Sequence, residues 1–187
     1  MSAASIDPAR IRPLRRAEYE RLAEAGMFDG EKLELLFGRL VRMSPQGTAH
    51  YWVIDRLWQR LGLALDQRAK VRTQAPFLAS DDSEPEPDLA VVPAGEYLDA
   101  HPSEAWLIVE VADSSLADDR RLKVPLYAAA RVPELWIVCL PERCVEVYRE
   151  PEGDRYLKVS RFVAGDSLSP LCLPGEGLAV LDILPPR

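Results

Sequence analysis

The sequence predicts an α/β or α+β fold, in which a mixed β-sheet is flanked by helices. Two short and almost continuous apolar runs, at residues 88–92 and 106–111, are typical of central strands that are covered on both faces. Residues 47–67 carry apolar side chains at helical spacing, which predicts a long amphipathic helix. A chain of 187 residues is long for one hydrophobic core and short for two, so we expect a single domain over residues 1–187.

The N-terminal third is predicted to contain a helix, a hairpin and the long helix. Residues 14–25 place apolar side chains on one face, and Gly26 is expected to end that helix. The apolar runs 32–36 and 39–43 surround Phe37-Gly38 and predict a β-hairpin, although phenylalanine is a poor occupant of a turn that favours positive φ. The core-facing stripe of the long helix is predicted to contain Ile54, Leu57, Trp58, Leu61 and Leu65.

The rest of the chain is predicted to be mainly strands. Residues 71–78 alternate apolar and polar side chains, as a half-buried strand does. Residues 119–131 predict a second helix, with Pro125 in its first turn or at a kink. Glu134 is expected to begin a strand or to form an ion pair. Further strands are predicted at residues 134–140, 145–149, 156–162 and 178–181.

The composition is typical of a soluble globular protein and excludes several classes of function. No stretch approaches the roughly 20 apolar residues that cross a bilayer, and the first 16 residues lack the apolar segment of a secretory signal. We therefore expect a cytoplasmic protein with no membrane partner. The net charge of −7 argues mildly against nonspecific binding to nucleic acid, although a local basic patch can still steer such a substrate.

The cysteines and the common catalytic motifs give no support for a zinc site, a nucleotide-binding loop or a serine nucleophile. Cys139, Cys144 and Cys172 form no paired zinc motif. Cys139 and Cys144 flank a predicted turn and could face each other, and we expect free thiols because disulfides are uncommon in the cytosol. Nothing resembles a phosphate-binding loop, a dinucleotide-binding glycine fingerprint or a serine–histidine triad.

Two carboxylates occupy positions that a buried strand normally gives to apolar residues. Asp88 opens one apolar run directly after Pro87, and Glu110 lies inside the other. A buried carboxylate is costly to desolvate unless it is paired or binds a cation. If the two runs are neighbouring strands, both carboxylates could reach one edge of the sheet. Two carboxylates, a backbone carbonyl and waters suit a hard cation such as Mg²⁺.

Lys123 lies at the start of the next predicted helix and could lean over the same edge. A lysine there could orient a water molecule, help to deprotonate it, or neutralise charge on a phosphate. The residues alone leave a structural alternative open. In that alternative Asp88 only ends a strand, and Glu110 and Lys123 form a partly buried ion pair.

Four ordered segments resemble the bacterial Uma-type restriction endonucleases, a family within the PD-(D/E)XK nuclease superfamily. The segments are ELLFGRLVRMSPQGTAH (34–50), TQAPFLASDDSEPEPDLAVV (73–92), LIVEVADSSLADDRRLKVPLYAAARVPELWIV (107–138) and VEVYREPEGDRY (145–156). The resemblance extends over a core of about residues 14–184. It implies a restriction-endonuclease-like fold, with a mixed β-sheet flanked by helices.

The resemblance also implies a metal site with Mg²⁺ or Mn²⁺ as cofactor. Asp88 and Glu110 match the two acidic ligands, and the backbone carbonyl of Val111 would be a further ligand. The lysine of the superfamily normally lies two residues after the second acid, where this chain has Ala112. Lys123, on the following helix, matches the lysine instead and would position water or screen charge.

Other positions match the family or depart from it. Glu34 matches a hairpin glutamate that could contact a metal-bound water or a second ion, and Gln74 matches a glutamine ahead of the Pro-Asp segment. Two turns depart from the family pattern, since Phe37-Gly38 replaces Asp-Gly and Ala130-Arg131 replaces Ala-Gly. His50, at the start of the long helix, is explained equally well by a surface position and by a contact to substrate.

These matches predict a Mg²⁺-dependent endonuclease that hydrolyses DNA, with a homodimer expected by analogy. The main alternative is a catalytically silent module that keeps the nuclease fold and binds nucleic acid or protein, which the negative net charge favours. A third interpretation is a metal-dependent hydrolase of another phosphodiester. A small pocket closed over the acidic pair would support that third interpretation.

Overall fold

The computed structural model describes residue 7 and residues 10–186. Its helices and strands are α1 (Arg16–Glu24), β1 (Leu33–Leu36), β2 (Arg39–Arg42), α2 (Thr48–Leu65), β3 (Ala69–Thr73), β4 (Leu89–Pro93), β5 (Leu107–Ala112), α3 (Leu116–Asp118), a π-helical segment (Asp119–Lys123), α4 (Val124–Ala129), β6 (Glu134–Cys139), β7 (Cys144–Glu152), β8 (Arg155–Val163), β9 (Ser167–Leu168), β10 (Leu178–Ala179) and α5 (Val180–Ile183).

A six-stranded mixed sheet in the order β3-β4-β5-β6-β7-β8 forms the centre of the fold. Only β5 and β6 run parallel; the other neighbouring strands are antiparallel. A parallel pair needs a crossover connection, and α3, the π-helical segment and α4 provide it. The hairpin of β1 and β2 and the β9–β10 pair form separate two-stranded sheets. The predicted mixed sheet flanked by helices is confirmed.

The sheet buries apolar side chains on both faces, which explains the nearly continuous apolar runs of its central strands. On one face Val109 packs with residues of α2 and of the C-terminal segment. On the other face Ile108 and Ala112 pack with Tyr127 of α4. Glu110 lies between Ile108 and Ala112 in the alternation of β5, so its side chain points to the α4 face.

Several predicted elements differ from the structure in their extent. The chain leaves the sheet at Gln74, which has a φ of +47°, so the strand predicted at 71–78 is confined to β3. The strand predicted at 178–181 gives way to α5 after two residues. The helix predicted at 119–131 begins earlier, at Leu116, and contains the π-helical segment.

The prediction that Trp58 belongs to the core-facing stripe of α2 is wrong, because the residue is 51% exposed. Consecutive residues of an α-helix are separated by about 100° around the axis. Leu57 and Leu61 point into the core, so Trp58, one position after Leu57, is turned toward solvent.

Both turns that depart from the family pattern use left-handed backbone at a non-glycine residue. Phe37 has a φ of +50° and Arg131 a φ of +59°. A side chain other than glycine in this region costs roughly 1 kcal/mol. Gly38 cannot be replaced in the same way, because a Cβ atom there would lie 2.2 Å from Cβ of Pro13. The hairpin turn therefore depends on Gly38 and tolerates Phe37 at a cost in stability.

The described residues include all three cysteines and all the helices named above. Cys139 and Cys144 are register partners on β6 and β7 and are buried as free thiols, and Cys172 is also free. Burial raises the pKa of the Cys139 thiol, which disfavours the reactive thiolate. Within residues 10–186, no helix combines the length and the apolarity needed to span a membrane.

Glu84 is a buried carboxyl group outside the predicted site. Its backbone pairs with Leu35 of β1 in both directions, while its side chain faces Glu20 and Arg16 of α1. Burial, together with the negative charge of Glu20, raises the pKa of Glu84 from 4.5 to about 7, although Arg16 opposes the shift. One Glu84 side-chain oxygen is buried without a hydrogen-bond partner among the described residues, and a bond between the Glu84 and Glu20 carboxyl groups would require a proton on one of them.

Glu84→Gln should make the stability of the protein less dependent on pH between about 4.5 and 7. The folded-state pKa of Glu84 lies above the unfolded value, so its stabilising contribution is complete below about pH 4.5 and is lost as the pH rises through about 7. Glutamine mimics the protonated form, so the variant should gain about 2 kcal/mol relative to the wild type at pH 8.

Urea unfolding of both proteins at pH 5 and pH 8 measures this difference. Glu152→Gln, at an exposed position on β7, is the control and should change neither value. A stability difference between Glu84→Gln and the wild type that is the same at both pH values would contradict the prediction.

Candidate active site

The structure brings the four side chains with predicted catalytic roles to one end of β4 and β5. Asp88 immediately precedes β4, and extending the pairing of Leu89 with Val109 by one residue places it opposite Glu110. Four polar side chains with 3–8% exposure meet there: Glu34 from β1, Asp88, Glu110 from β5, and Lys123 from the end of the π-helical segment.

Asp88 is fixed by donors from three parts of the chain. The backbone N–H of Val111 donates to Oδ2 over 2.8 Å, and Nε2 of His50 lies 2.8 Å from Oδ1. A carboxylate can only accept, so the Nε2–H of His50 is the donor. Gln46 donates to the same Oδ1 over 3.1 Å, and Gln74 in turn donates to Gln46. Asp88 therefore has one orientation, set by α2, β5 and the loop before α2.

Glu110 and Glu34 are linked through Lys123. Nζ of Lys123 lies 3.2 Å from Oε1 of Glu110 and 3.3 Å from Oε2 of Glu34. The hydroxyl of Tyr127 donates to the same Glu110 oxygen over 2.6 Å, and the N–H of Glu86 donates weakly to Glu34 over 3.4 Å. The ion pair of Glu110 and Lys123 that belongs to the structural alternative is present, with a second carboxylate and a tyrosine added to it.

The charge balance of this cluster is negative. Burial raises the pKa of Glu110 to about 8, an effect that Lys123 opposes and Asp88 reinforces. Burial lowers the pKa of Lys123, but the carboxylates of Glu110 and Glu34 outweigh that effect and raise it overall. Lys123 is therefore an ammonium throughout the physiological range. Burial also raises the pKa of Asp119. So many carboxyl groups around one ammonium favour binding of a proton or of a further cation.

A cavity of about 120 Å³ lies above these side chains. The hairpin supplies Leu36, Val41 and Arg42 to its walls, and the loop at residues 43–46 also lines it. Its acidic lining consists of Glu34, Glu86, Asp88, Glu110, Asp113, Asp118 and Asp119, and its basic lining of Arg42 and Lys123. The space is small and acidic.

The donor set fits a hard cation if backbone oxygen is included. Within the described residues, no three or more histidine, cysteine, aspartate or glutamate side chains form a group that could hold a metal ion. Two carboxylates are available, on Asp88 and Glu110. The N–H and C=O of one strand residue point to the same side, so the Val111 carbonyl faces the same edge as the N–H that Asp88 accepts. All three are oxygen donors, as Mg²⁺ and Mn²⁺ prefer.

The π-helical segment places Lys123 in this arrangement. π-helical turns are rare and often occur at functional sites. At the start of the segment, Nε of Arg120 donates to Glu146 of β7 over 3.1 Å, and Ser115 donates to Asp119 over 2.7 Å. The Arg120 contact attaches the segment to the sheet at one end, and the Lys123 ion pairs attach it at the other.

Three residues of the cluster are absent from the predicted site. His50 precedes Val53, Ile54 and Leu57 at helical spacing, so the periodicity of α2 places it on the buried face. Tyr127 follows Lys123 by four residues, which places both on one face of a helix. These two signals are readable in the sequence. Gln46 gives no such signal, because it lies in a loop.

Comparisons with known proteins agree with this architecture. The Uma2 family model, described as "Putative restriction endonuclease", matches residues 16–181. A solved structure from Anabaena variabilis ATCC 29413, described as "a putative nuclease belonging to DUF820", is similar, with a TM-score of 0.71 and 18% identity. That alignment covers 91% of this chain and 97% of the other, which shows a common fold. No curated protein matches. Because the family model spans most of its length, the chain belongs to the Uma2 family.

Proposed function

We propose that the protein is an endonuclease that hydrolyses phosphodiester bonds in DNA with the help of Mg²⁺ or Mn²⁺. The observation that carries the proposal is the meeting of Asp88 and Glu110 at one end of neighbouring strands, with the Lys123 ammonium beside them. Membership of a restriction endonuclease family supports a nucleic-acid substrate. A homodimer, which would let two sites act on two strands, remains a prediction.

In this proposal Asp88, Glu110 and the carbonyl of Val111 hold the cation. When bound, the cation would polarise the phosphoryl oxygens and lower the pKa of the attacking water. His50 and Gln46 keep Asp88 in the ligating orientation, since both donate to one of its oxygens. The other Asp88 oxygen accepts from the backbone of β5.

Lys123 is assigned to charge stabilisation and not to proton abstraction. Its contacts with Glu110 and Glu34 keep it protonated, so it has no lone pair with which to accept a proton. An ammonium beside the phosphoryl oxygens stabilises the charge that develops during phosphoryl transfer. Glu34 is assigned to holding Lys123 in place, and the predicted contact of Glu34 with water or a second ion is compatible with this role.

The small cavity favours one alternative substrate class. A space of about 120 Å³ between the hairpin and the loop at residues 43–46 fits a small phosphodiester better than a continuous duplex. Cleavage of bis(p-nitrophenyl) phosphate or a cyclic dinucleotide, without cleavage of any DNA, would support this alternative over the nuclease.

The test of the nuclease is plasmid and oligonucleotide cleavage in Mg²⁺ or Mn²⁺ by the wild type and by Asp88→Ala. We expect nicking or cutting by the wild type and a loss on the order of 10³-fold in the variant, because a metal ligand is removed. Asp55→Ala, at an exposed position on α2, is the matched control and should cleave like the wild type. Equal cleavage by Asp88→Ala and the wild type would overturn the proposal.

A further inference from the structure

The β1–β2 hairpin ends in an aromatic ring that faces solvent. Phe37 is 43% exposed and has a φ of +50°. Within the described residues its ring makes no stacking or cation contact with another side chain. Tyr97 is the other aromatic residue with positive φ among the described residues. Its side chain contacts the protein itself, since its hydroxyl donates to the carbonyl of Pro93 and Arg72 lies over its ring. Phe37 has a similar backbone cost, but its ring has no comparable contact with a described side chain.

The turn that carries Phe37 is held rigidly from two sides. The N–H of Phe37 donates to Oγ of Ser83 over 2.9 Å, and the N–H of Gly38 donates to the carbonyl of Asp82 over 2.7 Å. On the other side the N–H of Leu14 donates to the carbonyl of Gly38 over 2.9 Å. An exposed ring on a fixed backbone loses little conformational entropy when it binds a partner.

The ring also lies near the proposed active site. Phe37 is three residues after Glu34, which corresponds to roughly 10 Å along an extended strand. The residue before it, Leu36, lines the cavity, as does Val41, the register partner of Glu34. A ligand that extends out of the cavity along the hairpin would reach the turn that carries the ring.

The turn is followed by a basic side chain, unpaired within the described residues, that could contact a phosphate. Arg39 follows the turn and is exposed, and its side chain makes no ion pair with any described residue. Arg12 and Arg15 flank the segment that binds Gly38, although Arg12 is paired with Glu18. The carboxylate of Asp82, on the segment that binds the turn, accepts hydrogen bonds from the Ser80 and Ser83 hydroxyls, so contact with a phosphate is assigned to Arg39.

We propose that Phe37 stacks on an unpaired nucleobase of a single-stranded segment whose adjacent phosphodiester occupies the cavity, while Arg39 contacts its phosphates. The proposal rests on the nuclease function and names its substrate as nucleic acid with an accessible base face. Aromatic stacking with arginine contacts is the general mode by which proteins bind single strands. It reconciles the small cavity with a polymeric substrate, because a single strand can bend into a space that a duplex cannot enter.

The test is the affinity of the full chain for dye-labelled single-stranded and duplex oligonucleotides, measured by anisotropy in Ca²⁺ to limit turnover. Phe37→Asn removes the ring and places a residue that tolerates positive φ, so it should melt no lower than the wild type. We expect it to bind the single strand about 10-fold more weakly, a typical loss for one stacked base. Phe37→Tyr should bind like the wild type, and the duplex affinity should change in neither variant.

Each other outcome overturns the proposal in a distinguishable way. Unchanged single-strand affinity in Phe37→Asn excludes stacking and leaves the nuclease function intact. An equal loss for duplex and single strand excludes recognition of an unpaired base. A change in oligomeric state without a change in affinity makes the ring a contact between protein chains. A wild type that binds no oligonucleotide overturns both this proposal and the nuclease.

Discussion

Glu110→Gln is expected to lower phosphodiester cleavage by on the order of 10³-fold while leaving the metal-free protein folded and, at high pH, more stable than the wild type. Loss of one group that stabilises the transition state costs about 10²–10³-fold, and a metal ligand should lie at the upper end of that range. Glutamine keeps the shape and can still accept the hydrogen bond from Tyr127. The change therefore removes the ionisable carboxyl group from the site with little change in packing.

The stability difference between the two proteins should depend on pH with a definite sign. The folded-state pKa of Glu110 is raised from 4.5 to about 8, mainly by burial. The fold therefore favours the protonated carboxyl, and this contribution is complete below about pH 4.5 and lost as the pH rises through about 8. Glutamine resembles the protonated form at every pH, so the variant should gain ~1–3 kcal/mol relative to the wild type from pH 5 to pH 9.

Urea unfolding in EDTA near pH 5 and near pH 9, together with cleavage assays in Mg²⁺, measures both effects. Glu152→Gln removes an exposed carboxylate of β7 and should change neither activity nor the pH dependence. A variant that cleaves like the wild type would remove Glu110 from the proposed mechanism. A stability difference that does not change with pH would mean that Glu110 is ionised in the folded protein at both values.

The acidic pair was predictable from sequence because it violates a physical rule. Asp88 and Glu110 interrupt apolar runs, and a carboxylate in a buried strand needs a partner or a cation. Lys123 was assigned through the family resemblance, since its distance along the chain does not reveal which way the helix leans. The structure adds that β5 and β6 are parallel, so the crossover that carries Lys123 packs over the sheet face to which Glu110 points.

The parts of the fold that the sequence did not predict are those decided by tertiary contacts. Trp58 has the polarity of a core residue, but its neighbour Leu57 occupies the inward position. Gln74 continues an alternating pattern, yet its backbone turns to a φ of +47° and its side chain donates to Gln46. The π-helical segment cannot be read from apolar periodicity, because its register is fixed by contacts such as that of Arg120 with Glu146.

A second buried carboxylate, Glu134, shows how a similar sequence signal can have a structural role. It opens β6 and is fully buried. One oxygen accepts from Arg149 and from Nε1 of Trp136, and the other accepts from the N–H of Leu171. Arg149 also donates to the carbonyl of Ser169. Every oxygen of Glu134 has a donor within the protein, whereas the donors around Glu110 leave an acidic cavity above it.

Arg149→Met should therefore destabilise the protein by about 3–5 kcal/mol, because it leaves the Glu134 carboxylate buried without its counter-ion. It also releases the segment at residues 169–171, which Arg149 and Glu134 attach to the sheet. Arg155→Met is the matched control, since Arg155 forms an exposed pair with Glu152 and should cost less than about 1 kcal/mol. Urea unfolding near pH 7 measures both values.

Cleavage assays distinguish the structural role of the Arg149–Glu134 pair from a role in the proposed active site. At a temperature where Arg149→Met remains folded, cleavage per folded molecule should match the wild type, because Arg149 contacts none of the residues at the proposed metal site. A stability loss no larger than that of Arg155→Met would show that Trp136 and Leu171 alone compensate the Glu134 charge. A selective loss of cleavage in the folded variant would instead couple the start of β6 to the site on β5, whose residues 108–112 pair with residues 135–139 of β6.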